Sequence, residues 1–128
     1  MRISRIVLAI CSLLLTFGGL AHGRAFPGAA TAITKAGNLA AFYRNDFKVL
    51  WLADSTTLFT VAALFALIAA RPSSASRALV FLIALIPAAT AIMIYIFVGG
   101  FYAAHLLMAI SIAATIAALR LPSVTAAA

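Results

Sequence analysis

The sequence predicts an all-α integral membrane protein, a single four-helix transmembrane bundle with both termini cytoplasmic. Three observations predict it. Of the residues, 66% are hydrophobic and only 9% are charged, against roughly 25% charged in an ordinary soluble domain, so the chain cannot hide its apolar surface in a core of its own. The apolar residues come in long blocks rather than at amphipathic spacing, which is the pattern of lipid-facing helices. The 9 lysines and arginines, which give a net charge of +7, stand singly at the ends of those blocks. That placement reads as topology control and contact with anionic headgroups. A basic patch interleaved with aromatics is missing, so no nucleic-acid partner is expected. The length of 128 residues fits one domain, 1–128.

The first span, about 6–22, is IVLAICSLLLTFGGLA with its flank, and it follows Arg2 and Arg5. A cleaved signal peptide is its rival, since Gly19-Leu20-Ala21 would pass as a cleavage site. Retention as a helix is the preferred reading, because three remaining helices would leave little to bury the polar groups further along. Residues 23–46 form the one long connection, an outer loop of small and mixed residues. Ile33, Ala36, Ala40 and Tyr43 have approximate helical spacing, which suits a short helix lying at the interface. Asn38 would alternatively cap an early start of the second helix, making that helix project beyond the bilayer.

The second, third and fourth spans, about 47–70, 78–98 and 101–119, are each long enough for a hydrocarbon core of roughly 30 Å at about 1.5 Å per residue. Pro72 stops the second after Arg71, Gly99-Gly100 turns the chain between the third and fourth, and Pro122 closes the last, leaving SVTAAA as a frayed tail. Pro87, mid-span in the third, is expected to kink it. Four spans return both ends to one side. Arg2, Arg5, Arg71, Arg77 and Arg120 mark that side as cytoplasmic, against Arg24, Lys35, Arg44 and Lys48 in the outer loop. Alanines recur every four residues at 62, 66 and 70, at 84 and 88, and at 109, 113 and 117, the small-xxx-small spacing that lets helix backbones approach. Cys11, the one cysteine, has no intramolecular disulfide partner and reads as a small buried residue.

This topology carries three ionisable side chains to similar depth in the outer leaflet: His22 at the end of the first helix, Asp54 near the start of the second, His105 near the start of the fourth. Such groups avoid hydrocarbon and point into a bundle or a wet cavity. They are the candidate ligand or proton site, serving as a proton relay, a metal site of two imidazoles and a carboxylate, or an anchor for an amphiphilic ligand's head group. The structural alternative is a hydrogen-bonded or ionic pair that holds helices together. Ser55, Thr56 and Thr57 would bond the Asp54 carboxyl or their own helix. Lys48, Trp51, Tyr43, Tyr95 and Tyr102 map to the outer boundary as interface anchors. Asp46 is solvated or caps the helix. No nucleophile elbow, phosphate loop or close carboxylate pair occurs, and neither HxxxH nor HExxH fixes the histidines, so no catalytic residue, cofactor or metal is assigned.

GGLAH closing the first span, LWLADS opening the second, ARP after it and GGFYAAH entering the fourth resemble the small four-helix bacterial membrane proteins of the DoxX-like type. The resemblance implies a multi-pass protein of the cell inner membrane and carries over no functional residue. The small multidrug transporters share the length and span number, but their first-helix glutamate has no counterpart in a chain without any glutamate. Three functions follow as expectations. The first is a non-catalytic accessory subunit, or a protein binding a lipophilic ligand at an outer-leaflet polar pocket, partnered by lipid and by a membrane protein or further copies of itself. The second is a small proton-coupled transporter or channel using Asp54. The third is a membrane oxidoreductase or other enzyme whose histidines hold a metal or quinone.

Overall fold

The computed structural model describes residues 2–71 and 76–121. The expected stops at Pro72 and Pro122 and the tail SVTAAA lie outside the described residues. The described residues form four helices: α1 (Arg2–Lys35), α2 (Ala41–Ala70), α3 (Arg77–Phe97) and α4 (Tyr102–Leu119). All four are long and apolar enough to cross a membrane. At about 1.5 Å per residue they measure roughly 51, 45, 32 and 27 Å, so the first two are far longer than a hydrocarbon core requires.

The extra length lies in residues 23–46, read from the sequence as an outer connection. They are helical except at 36–40. Gly23, Pro27 and Gly28 argue locally against a helix there, yet α1 runs through all three. Pro27 removes only one donor, the one that would serve the Gly23 carbonyl, and the surrounding run is rich in alanine, the best helix former. Thr31 and Thr34 turn their hydroxyls back onto Pro27 O and Ala30 O at 2.8 and 2.7 Å, so they expose no unpaired polar group. Asn38 sits in the turn rather than at a cap. The residue preceding α2 is Ala40, which makes no side-chain capping bond.

The bounds of α3 and α4 lie within a residue of the expected spans. Ser76 caps α3 by accepting from Leu79 N at 3.0 Å. Gly99, at φ +89°, ends it in the left-handed region that side chains with a Cβ avoid, while its N–H donates to Ile94 O. α3 continues without interruption through the buried Pro87, which leaves the Ile83 carbonyl without its helical donor.

The helices form two antiparallel hairpins, α1 with α2 and α3 with α4, and the hairpins meet along α1 and α4. Leu8, Leu15, Phe65, Val80 and Ile110 fill the seam almost without exposure. Of the alanine stripes, Ala62, Ala84 and Ala117 are buried there, whereas Ala66, Ala70 and Ala109 face outward. Interhelical hydrogen bonds fix the register of each hairpin. Ser12 donates to Ala62 O and Ser111 to Ala84 O, both at 2.8 Å.

At one end of the bundle, an arginine at the start of each odd-numbered helix serves the carbonyls closing the next helix. Arg5 Nε donates to Ala69 O at 2.7 Å, and Arg77 donates to Leu119 O and Leu121 O at 3.2 and 2.9 Å. These are carbonyls that a helix terminus leaves without internal partners. Cys11 Sγ lies 3.8 Å from Ile110 O. Because Cys11 stands nine residues after Arg2 and Ile110 nine before Leu119, the arginine ends of α1 and α4 are level.

Candidate functional site

That register decides what the histidines can meet. With the arginine ends level, α4 begins beside about residue 19 of α1, and α1 continues roughly 24 Å beyond it at 1.5 Å per residue. His22 therefore stands just past the start of α4, and His105, three residues into α4, lies about 9 Å nearer the arginine end on the same count. The two histidines belong to different hairpins and find different partners.

His22 reaches α2 at a helical face formed by Trp51, Asp54 and Ser55, whose spacing of three and four residues stacks them on one side. Its Nε2 lies 3.5 Å from Asp54 Oδ2, and the side chains are 28% and 37% exposed. Its Nδ1 is 2.9 Å from Ser55 Oγ. Its ring stacks on the Trp51 indole at a centroid distance of 4.3 Å and an interplanar angle of 14°. Trp51 Nε1 in turn donates to the His22 backbone carbonyl at 2.9 Å. The small Gly19 lets α2 come close below this point, for a Cβ added there would stand 3.1 Å from the Phe59 ring.

The serine makes the arrangement tolerant of the ring's charge. Ser55 Oγ is within 3.3 Å of Trp51 O as well as 2.9 Å from His22 Nδ1. With a neutral imidazole, Nε2–H faces the Asp54 carboxylate and the serine hydroxyl donates to Nδ1. With an imidazolium, both ring nitrogens donate, and the hydroxyl turns to Trp51 O and accepts from Nδ1–H. A proton gained or lost at Nδ1 thus keeps the bond to Ser55 and leaves Nε2 facing Asp54. Thr56 and Thr57 take no part, since both donate to Ala53 O at 2.8 and 2.9 Å.

His105 is exposed and meets α3 instead. Its Nδ1 lies 2.7 Å from Tyr95 Oη, with the rings tilted at a centroid distance of 5.4 Å. The structure therefore joins His22 to Asp54 and pairs His105 with Tyr95. Among the described residues no group of three or more His, Cys, Asp or Glu side chains is placed to hold a metal ion. Trp51 and Tyr95, read from the sequence as interface anchors, are each the aromatic partner of a histidine. Tyr43 and Tyr102 stay 62% and 74% exposed, Lys48 is half-buried, and Asp46 is exposed within α2.

The sequence carried a signal for the missed partners. Trp51 and Ser55 are four residues apart around Asp54, so any helix that approaches the carboxylate on that side must touch the indole or the hydroxyl. No family model, no curated protein and no solved structure matches this chain.

Proposed function

We propose that the protein is a non-catalytic subunit of a bacterial inner-membrane assembly, inserted as four spans with the arginine end in the cytoplasm, and that it engages a membrane-protein partner through the part of α1 and α2 that projects beyond α3 and α4. The observation that carries this reading is the projection itself. Residues from about 20 to 35 and 41 to 53 extend past the start of α4, by the register set at Cys11 and Ile110. There Phe42, Tyr43, Val49 and Leu50 are 60 to 72% exposed. An apolar surface outside the hydrocarbon asks for a cover, and four basic residues against Asp46 make a partner with an acidic outer face the complementary one. The arginines at the other end follow the positive-inside rule, and the DoxX-like layout belongs to the same reading.

Gentle solubilisation followed by native electrophoresis tests it. The wild-type chain is expected to migrate with a second polypeptide, and Phe42→Asp with Leu50→Asp is expected to release it as a folded chain alone. Wild-type protein that migrates alone retires the proposal.

A second reading, a proton-coupled transporter or channel, is favoured by one observation: His22 and Asp54 stand at ion-pair distance beside a serine that accommodates either charge state. In liposomes, Asp54→Asn is expected to abolish proton flux under this reading. Flux equal to wild type removes Asp54 from that role.

A further inference from the structure

A second recognition feature lies at the opposite end of the molecule from the histidines. An open groove of about 600 Å³ runs along the outward flank of α1 and α2, with Arg2 and Arg5 at its mouth and Ile6, Ala9, Leu13 and Ala66 along its walls. The walls are apolar and the mouth is cationic. Ser12 also lines the groove, but its hydroxyl is already donated to Ala62 O. The Nε of Arg5 is fixed on Ala69 O, and among the described residues no acceptor meets the two terminal nitrogens of its planar fork, which face an external one. Such a fork suits the paired oxygens of a phosphodiester.

We infer that this groove holds an anionic phospholipid, its phosphate against Arg2 and Arg5 and one acyl chain along Ile6, Ala9, Leu13 and Ala66. Charge complementarity singles out this occupant. Both acidic residues of the chain, Asp46 and Asp54, lie on the other half of α2, so a second copy seated here by the same face would set arginines against arginines with no acidic side chain to offset them. An anionic headgroup supplies the missing charge, and basic pockets between helices on the cytoplasmic side are suited to it. The small side chains of Ala9 and Ala66 make room for a chain beside the helices, where leucines would fill the space. The inference rests on the membrane placement proposed above but not on the partner of the projection.

The test uses the purified full chain reconstituted in vesicles of equimolar phosphatidylglycerol and phosphatidylcholine with matched acyl chains. Bound lipid is then counted by native mass spectrometry. Wild type is expected to retain the glycerol lipid over the choline lipid by about fivefold or more, the preference that one or two arginines near a headgroup supply. Arg2→Gln removes one contact, and Ala66→Leu fills the groove with every charge kept. Arg2→Gln is expected to lower the ratio about fivefold, one arginine's share, and Ala66→Leu to bring it below about twofold, while Asn38→Ala in the turn at the far end leaves it unchanged. Arg5 is spared because its loss would also uncap α2.

A wild-type ratio near one, or a wild-type ratio preserved in either groove variant, overturns the inference. So does displacement of the lipid by millimolar inorganic phosphate, which would make the site one for free phosphate. A lipid-free dimer that Ala66→Leu dissociates would give the groove to a second copy. Carbonate extraction of the chain from native membranes separates failure of the membrane placement from failure of the lipid site: a chain that stays with the membrane but shows no lipid preference has lost only the latter.

Discussion

The contact between His22 and Asp54 is open to a direct energetic test, because the one tryptophan of the chain stacks on the imidazole. The perturbation is a double-mutant cycle of Asp54→Asn, His22→Gln and the two combined. Unit charges at the 3.5 Å seen here attract by about 1 kcal/mol in water and about 5 kcal/mol at an effective dielectric of 20. With the carboxylate 37% exposed, solvent screening moves the expected value toward the lower limit, about 1 to 2 kcal/mol. Unfolding in mixed micelles of increasing dodecyl sulfate fraction, followed by Trp51 emission, gives the four stabilities. His22→Gln should also change the emission of the folded state, since it replaces the stacked ring. A coupling energy under about 0.3 kcal/mol, within the scatter of additive mutations, would refute the pairing of α1 to α2 through these groups. Ser55→Ala supplies the companion measurement. It removes the hydroxyl that serves Nδ1 in both charge states, and is expected to cost about 1 kcal/mol.

The remaining expectations concern the frame that holds the site. Gly99→Ala places a Cβ at φ +89° and should lower stability by about 1 to 2 kcal/mol, whereas Gly100→Ala should be near neutral; the same micelle titration reads both. Ser12→Ala and Ser111→Ala each delete one interhelical hydrogen bond and should cost about 0.5 to 1.5 kcal/mol apiece. Arg77→Gln uncaps Leu119 O and Leu121 O. It should speed amide hydrogen exchange in the last turn of α4 and leave the turn at Gly99 unchanged.

Residues of strong local character were readable before the fold. The bounds of α3 and α4 follow from continuous apolar runs and from Gly99, where backbone geometry demands the residue. The stretch from Gly23 to Lys35 was not legible, because Gly23, Pro27 and Gly28 lower helix propensity in any short window. It continues the helix that packs along α2, anchored at its start by Trp51 Nε1 donating to His22 O, a partner that no local window contains. Asn38 misled for a related reason: its capping chemistry is sound, but α2 starts three residues later.

The candidate site shows the same division. That His22 and Asp54 come together follows from their positions on either arm of one hairpin, whose register Ser12 and Ala62 fix. His105 drops out for a reason that depth alone conceals. Treating every span as ending at the bilayer surface brings all three groups level, but α1 does not end at His22. Once α1 runs on to Lys35, its depth is set by the arginine ends and by Cys11 against Ile110, and His22 rises past the start of α4 while His105 stays below it. The extension that hid from the sequence is therefore what separates the two histidines. It leaves His105 to Tyr95, and gives Asp54 one imidazole at a level past the start of α4.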